Sequence, residues 1–197
     1  MNETEKRAIP CEVRAEPAAD GQSVAKITGY GAVFNKRSDM IGGWFYEIIA
    51  PGAFDDVLTN DVRALFNHDP NFVLGRTVAG TLSLSVDAQG LRYEITPPDT
   101  QTVRDLVLEP LKRGDITGSS FAFRVADDTW GEDPDGTIVR TIKKFSRLLD
   151  ISPVTYPAYP DAGASARSLE ERWKEVKGTG QRAINERRNR ERYLDTL

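Results

Sequence analysis

Short runs rich in Val, Ile, Phe, Tyr and Thr recur between residues 9 and 160, separated by turns of Gly, Asp and Asn. β-Branched and aromatic residues favour strands, and most of these runs are too short for an ordinary helix. So many short strands favour a closed or nearly closed β-barrel, because closure removes exposed sheet edges. The predicted fold class is mainly β (α+β), a barrel with a few surrounding helices. The predicted strands are Cys11–Ala15, Val24–Phe34, Trp44–Ile49, Ala64–Phe66, Gly80–Val86, Leu91–Thr96, Ser119–Ala126, Thr137–Lys143 and Phe145–Val154.

Helical periodicity marks a segment in the middle of the chain. Val103, Val107 and Leu111 recur at helical spacing, with Thr100 or Asp99 available as N-cap and Gly114 as a stop. Pro110, which lacks an N–H, is expected to kink this helix or end it early.

A second helical pattern lies near the C-terminus. Leu169, Trp173 and Val176 follow i, i+4, i+7 spacing behind a capping box of Ser168 and Glu171. Residues 165–197 contain nine Lys and Arg against six Asp and Glu, which leaves 17 against 24 in residues 1–164. We therefore predict a domain over 1–164, with its barrel core at about 9–160, and a charged helical tail over 165–197.

The composition excludes several classes of protein. One Cys and one His cannot form an internal disulfide or the usual multi-ligand zinc site. A net charge of −4 argues against a chain that coats nucleic acid. The N-terminus resembles no signal peptide, and no run of 18 apolar residues exists, so neither secretion nor a membrane partner is expected.

Three residues have side chains suited to catalysis. His68 lies at the end of an apolar run and could transfer a proton near neutral pH, although a histidine in a surface turn is more often structural. Ser119 and Ser120 lie where a Gly-rich turn enters a strand, a position that can expose a nucleophile but that serine commonly occupies for other reasons.

Asp150 is an acid inside an apolar run and needs a partner if it is buried. That partner is either an arginine, such as Arg147 or Arg76, or an imidazole. Together His68, Ser120 and Asp150 supply a base, a nucleophile and an orienting acid, which is the set that catalytic triads use. If Phe121 and Phe123 point into the core, alternation turns Ser120 the opposite way.

Five blocks of sequence together form a recognisable pattern: Gly29–Asn35, Glu47–Phe54, Phe66–Asp69 with Val73–Arg76, Lys112–Phe123 and Leu149–Pro160. In this order they resemble the prohead (capsid maturation) serine proteases of tailed bacteriophages, which are distantly similar to herpesvirus assembly proteases. The resemblance covers about residues 9–167.

The resemblance assigns the family's histidine to His68 and its nucleophile to Ser120, the serine immediately before Phe-Ala-Phe. The third member is a second His in the herpesvirus proteases. Here the matching segment begins with Asp150, and the chain has no other His. The implied activity is that of a serine endopeptidase that forms an acyl-enzyme and needs no metal or organic cofactor.

The resemblance also implies a substrate and a place of action. The substrate is the scaffolding portion of the phage major capsid protein, cleaved in the host cytoplasm inside the assembling prohead. Self-cleavage is expected as well, with the small-residue segment Ala162–Ala166 as a candidate. Dimerisation is possible by analogy with the herpesvirus proteases.

Two rival interpretations remain at this point. The first is a non-enzymatic assembly module that keeps the fold. The second is a nucleic-acid-binding protein that acts through the basic tail, which the acidic body disfavours. The tail itself is either a docking element for capsid or scaffold protein or a solvated helix.

Overall fold

The computed structural model describes residues 3–10, 13–16, 25–157 and 169–179. Within these residues the chain is mainly β, as predicted. The strands are β1 (Glu5–Pro10), β2 (Val13–Glu16), β3 (Lys26–Val33), β4 (Phe45–Ile49), β5 (Arg63–Phe66), β6 (Asp69–Arg76), β7 (Leu82–Val86), β8 (Gly90–Ile95), β9 (Gly118–Glu132) and β10 (Ile138–Val154).

These strands form two open sheets. The larger has the order β1-β9-β10-β5-β6, with β4 also paired to β10, and the smaller has the order β2-β3-β8-β7. Strand β10 is antiparallel to β9 but parallel to β4 and β5. The two longest strands, β9 and β10, therefore form the centre of the larger sheet.

The prediction of a closed or nearly closed barrel is wrong, because in the described residues no strand closes either sheet into a ring. Strand number and turn spacing do not determine which strands pair. The sequence pattern also divided β10, of 17 residues, into two shorter strands. Strand β6 was missed, since its Asp-Pro-Asn start is typical of a turn.

The main core lies between the two sheets. Alternate residues of β9, including Phe121 and Phe123, are fully buried and pack with Phe145 of β10 and Phe54 of the 51–59 turns. Tyr93 of β8 closes this core from the smaller sheet. We call the core side of the larger sheet its inner face and the opposite side its outer face.

The predicted middle helix is present and contains Pro110. It consists of α1 (Gln101–Val103), a π-helical turn (Arg104–Leu108) and α2 (Glu109–Arg113). The Thr100 side chain accepts a hydrogen bond from the Val103 N–H, and Gly114 ends the helix in the left-handed conformation. The π turn ends two residues before Pro110, and the helix continues through Pro110 to Arg113.

A buried group of charged side chains lies on the inner face, and we call it the inner-face ion cluster. Arg140 of β10 is completely buried and donates hydrogen bonds to Glu5, Glu47 and Asp128 at 2.7 to 3.0 Å. Arg7 of β1 donates to Glu5 at 2.6 Å and to Glu47 at 2.9 Å. The cluster therefore ties the edge strand β1 to β4, β9 and β10.

The charges of this cluster lower the pKa of Glu5 and raise that of Arg140. Burial raises the pKa of Glu5, but the hydrogen bonds and charges of Arg140 and Arg7 outweigh burial, so the pKa lies below its ordinary value of 4.5. Burial lowers the pKa of Arg140, but the carboxylates of Glu47, Glu5 and Asp128 outweigh that effect and raise it.

Residues 169–179 are helical and pack against the larger sheet. Leu169 is buried beside Phe45, and the Trp173 ring lies 6.1 Å from that of Trp130. Arg172 donates to Asp128 at 2.6 Å, which extends the inner-face ion cluster to this helix. The remainder of the predicted tail lies outside the described residues. None of the described helices has the length and apolar character needed to span a membrane.

Candidate active site

His68 lies in the two-residue turn between β5 and β6. Phe66 and Asp69 pair across the turn, and Asn67 and His68 both have positive φ, 53° and 58°. Two successive left-handed residues are characteristic of the type I′ hairpin turn, a conformation that Asn tolerates well. The Asn67 N–H donates to the Pro153 carbonyl at 3.1 Å, which holds the turn against the end of β10.

A β-bulge in β10 determines the direction of Asp150. Leu148 pairs with Phe123 and the next pair is Asp150 with Ala122, so Leu149 is the extra residue. Strict alternation would turn Asp150 to the inner face together with Leu148. The extra residue instead turns Asp150 to the outer face, as bulges near functional sites commonly do.

The outer face brings the three predicted residues into one hydrogen-bonded row. His68 Nδ1 lies 2.6 Å from Asp150 Oδ1, and His68 Nε2 lies 2.6 Å from Ser120 Oγ. An ionised carboxylate can only accept, so the proton of a neutral imidazole belongs on Nδ1. Nε2 is then free to accept the Ser120 hydroxyl proton, which gives the geometry of a serine nucleophile beside its base.

The two neighbouring serines point in opposite directions. Ser119 Oγ lies 2.6 Å from the Tyr93 hydroxyl in the main core and is completely buried. Ser120 is on the outer face with His68, in agreement with the alternation argument. Ser119 therefore joins the larger sheet to the smaller one, and Ser120 is the serine in contact with the imidazole.

The arginines considered as partners for Asp150 lie elsewhere. Arg76 makes two hydrogen bonds of 2.7 Å to Asp61, and this contact lowers the pKa of Asp61 to about 2. Arg147 is exposed. His68 is thus the ionisable partner of Asp150.

Ser152 is a member of the row that sequence reasoning missed. Its completely buried hydroxyl donates to Asp150 Oδ1 at 2.9 Å and lies 3.3 Å from His68 Nδ1. Two residues apart on one strand, Asp150 and Ser152 share a face, and this i, i+2 relation was the available signal. A serine inside an apolar strand has no distinctive sequence pattern. Ser152 could therefore be assigned to the row only after the structure showed which face Asp150 occupies.

Strand β1 lies directly beside Ser120. Ala8 pairs with Ser120, and Ser120 Oγ is 2.9 Å from the Arg7 carbonyl oxygen, a second acceptor for its hydroxyl. A cleft of about 520 Å³ opens here, lined by β1, the 36–41 loop, His68 and Ser120, and the 154–157 segment. This cleft is large enough for several residues of an extended peptide. In the described chain no three His, Cys, Asp or Glu side chains are arranged to hold a metal.

A β-sheet protein in which a serine, a histidine and an aspartate form one hydrogen-bonded row beside a cleft has the arrangement of the serine hydrolases. The model of the caudovirus prohead serine protease family matches residues 10–175, so the chain belongs to that family. No curated protein and no solved structure matches it significantly. The similarity to herpesvirus assembly proteases therefore stays a prediction.

Proposed function

We propose that this protein is the endopeptidase that cleaves the scaffolding portion of a phage major capsid protein inside the assembling prohead, in the host cytoplasm. Ser120 is its nucleophile, His68 its general base and Asp150 the acid that orients the imidazole. The single observation that carries this proposal is the row from Asp150 through His68 to Ser120, with both distances 2.6 Å, in a chain of the prohead protease family.

In the proposed mechanism Ser120 Oγ attacks the scissile carbonyl carbon while His68 Nε2 accepts the hydroxyl proton. The imidazolium that forms keeps its proton on Nδ1 and donates it in a hydrogen bond to Asp150, and Ser152 holds that carboxylate in place. His68 then returns the proton from Nε2 to the leaving amine, which leaves an acyl group on Ser120. Water then attacks the acyl carbon while His68 Nε2 accepts one of its protons. As the bond from that carbon to Ser120 Oγ breaks, His68 returns the proton to Oγ, which releases the second product and restores the enzyme.

Co-expression with the cognate capsid protein tests this function. We expect wild-type enzyme to shorten the capsid protein and Ser120→Ala to leave it at full length, because loss of a triad serine costs roughly 10⁶-fold in kcat. The readout is the mass of the capsid protein. Circular dichroism should show that Ser120→Ala stays folded, because it removes one oxygen atom.

Ser119→Ala is the matched control, since it removes the same atom from the neighbouring residue. We expect it to retain processing. Unprocessed capsid protein with wild type, or equal processing by wild type and Ser120→Ala, would contradict the proposal. The second result would favour a non-enzymatic assembly module.

Self-cleavage and self-association are further parts of the proposal. The candidate segment Ala162–Ala166 lies outside the described residues, and its small side chains are the reason for choosing it. Incubation of wild type and Ser120→Ala, followed by intact-mass measurement, tests it. A break between residues 160 and 180 in wild type alone is expected, and an unbroken wild-type chain would discard the idea. Sedimentation of Ser120→Ala, which cannot cleave itself, measures dimerisation.

A further inference from the structure

A row of cations leads away from Ser120 on the outer face. Lys6 of β1 pairs with Ala122, and Ala122 is two residues from Ser120 on the same face. Arg124 of β9 pairs with Arg147 of β10, two residues further along. Cross-strand partners share a face, so all three cations lie on the face of the nucleophile. We call Lys6, Arg124 and Arg147 the outer-face basic strip.

This strip has no acidic counterpart in the described chain. Arg124 donates to the neutral Thr4 hydroxyl at 3.2 Å, and within the residues described no carboxylate pairs with Lys6, Arg124 or Arg147. By contrast, every charge of the inner-face ion cluster has an opposite charge beside it. Residues 1–164 contain 17 basic and 24 acidic residues. A cluster of cations without acidic partners is therefore unusual in this predominantly acidic part of the chain.

The strip is continuous with the cleft, because Lys6 lines both. A strand advances about 3.3 Å per residue. Measured along β9 from Ser120, Lys6 is therefore about 7 Å away, opposite Ala122, and Arg124 is about 13 Å away. An extended peptide with its scissile bond at Ser120 covers these distances with two and four residues.

We infer that the outer-face basic strip binds acidic side chains of the substrate polypeptide, at positions two to four residues from the scissile bond. This inference rests on the proposed function, since it assigns the substrate preference of the same site. The fit is complementarity of charge, which orients a partner and speeds its encounter. A polypeptide fits better than nucleic acid, because the strip has only three cations and the surrounding body would repel a long polyanion.

A peptide library made by tryptic digestion of a whole proteome tests the inference. The library is incubated with full-length wild type, and the new termini are identified by mass spectrometry against a Ser120→Ala blank. We expect Asp and Glu to be enriched two to four residues from the cleaved bond. The triple variant Lys6→Gln/Arg124→Gln/Arg147→Gln should lose that enrichment and cleave acidic peptides roughly 10-fold more slowly, since each exposed ion pair contributes about 1.4- to 5-fold.

The control variant is Arg92→Gln, which removes one exposed cation from β8 of the smaller sheet and should cleave as wild type does. Raising the salt from about 0.05 M to about 0.5 M should slow wild type on acidic peptides and leave neutral ones unchanged.

Different results would contradict the proposed substrate preference and the proposed peptidase activity. Cleavage without acidic enrichment, or enrichment that the triple variant keeps, would overturn the inference and leave the peptidase intact. No cleavage beyond the Ser120→Ala blank would overturn the peptidase, and the inference with it. Salt-sensitive binding of a single-stranded DNA oligonucleotide that the triple variant loses, without acidic enrichment in the cleaved peptides, would assign the strip to nucleic acid instead.

Discussion

Two groups of buried polar side chains lie on opposite faces of the same pair of strands, β9 and β10. On the inner face, Glu5, Glu47 and Asp128 meet Arg7 and Arg140, and Arg172 completes the balance of charge. On the outer face, Asp150, His68 and Ser120 form an open row that ends at a cleft.

The two groups differ in how completely their hydrogen-bonding atoms are matched with partners. In the inner-face ion cluster each carboxylate accepts from at least one guanidinium, which satisfies the buried charges. In the outer row the hydroxyl of Ser120 has two acceptors within 2.9 Å but only one proton to donate. The inner-face ion cluster, in which every charge has a partner, holds the strands in register, whereas the outer row ends at a hydroxyl oxygen that lines the cleft.

Strand β1 connects the two groups. The side chains of Glu5 and Arg7 enter the inner-face ion cluster, while the Arg7 carbonyl oxygen accepts from Ser120 on the other side. The cluster therefore holds in place the strand that forms one wall of the cleft. Substitutions on the inner face should reduce stability first, and substitutions on the outer face should reduce activity alone.

The largest effect on stability is expected from Arg140→Met. It leaves three buried carboxylates facing fewer cations, and removal of one partner from a buried ion network costs about 3–5 kcal/mol. Urea unfolding measures this loss. Arg147→Met on the same strand is the control, because its side chain is exposed, and it should change the free energy of unfolding by about 0.5 kcal/mol or less. If the two variants had equal free energies of unfolding, the inner-face ion cluster would not be what stabilises the larger sheet.

A smaller and pH-dependent effect is expected from Glu5→Gln. The pKa of Glu5 is lower in the folded protein than its ordinary value, so its stabilisation is present above pH 4.5 and is lost as the pH falls through the folded value. Wild type should exceed Glu5→Gln by about 1.5–3 kcal/mol at pH 7, the contribution of hydrogen bonds to charged groups. Thermal unfolding from pH 7 to pH 3 should show this difference shrinking below pH 4.5.

The control for that pH series is Glu109→Gln, because the Glu109 side chain is exposed. It should match wild type at every pH. A difference between wild type and Glu5→Gln that stays constant across the range would show that the charge of Glu5 is not what stabilises β1.

The smallest effect is expected from Ser152→Ala, on the outer face. Loss of its hydrogen bond to Asp150 should lower kcat about 10-fold, the lower end of what a hydrogen bond to a charged group contributes. KM should stay unchanged, because Ser152 positions Asp150 and does not reach the substrate. Ser146→Ala, an exposed serine of the same strand, is the control. A change in stability without a change in kcat would make Ser152 merely structural.

The sequence predicted the strands well where apolar and polar residues alternate, as in β7 and β8. It failed where pairing between distant segments decides the structure. The parallel contact of β10 with β4 and β5 joins residues 93 and 87 positions apart, and no local pattern encodes it. The barrel prediction was wrong for the same reason.

The site shows the same division. Ser120, His68 and Asp150 were predicted because their residue types suggest chemistry and the family resemblance orders them. The bulge at Leu149 was not, since the apolar pair Leu148-Leu149 is equally compatible with a regular strand. The roles of Glu5 and Arg7 were missed because alternating charges near a terminus are typical of an exposed segment.

The most direct test of the central claim is nuclear magnetic resonance of the His68 imidazole, which is free of overlap because the chain has one histidine. We predict that Nδ1 carries a strongly deshielded proton hydrogen-bonded to Asp150 and that Nε2, which faces Ser120, carries none. In Asp150→Asn the proton should move to Nε2 and activity should fall about 10⁴-fold, as expected for the wrong tautomer. A ring protonated at Nε2 in wild type, or an Nδ1 proton unaffected by Asp150→Asn, would contradict the proposed roles of Asp150 and His68.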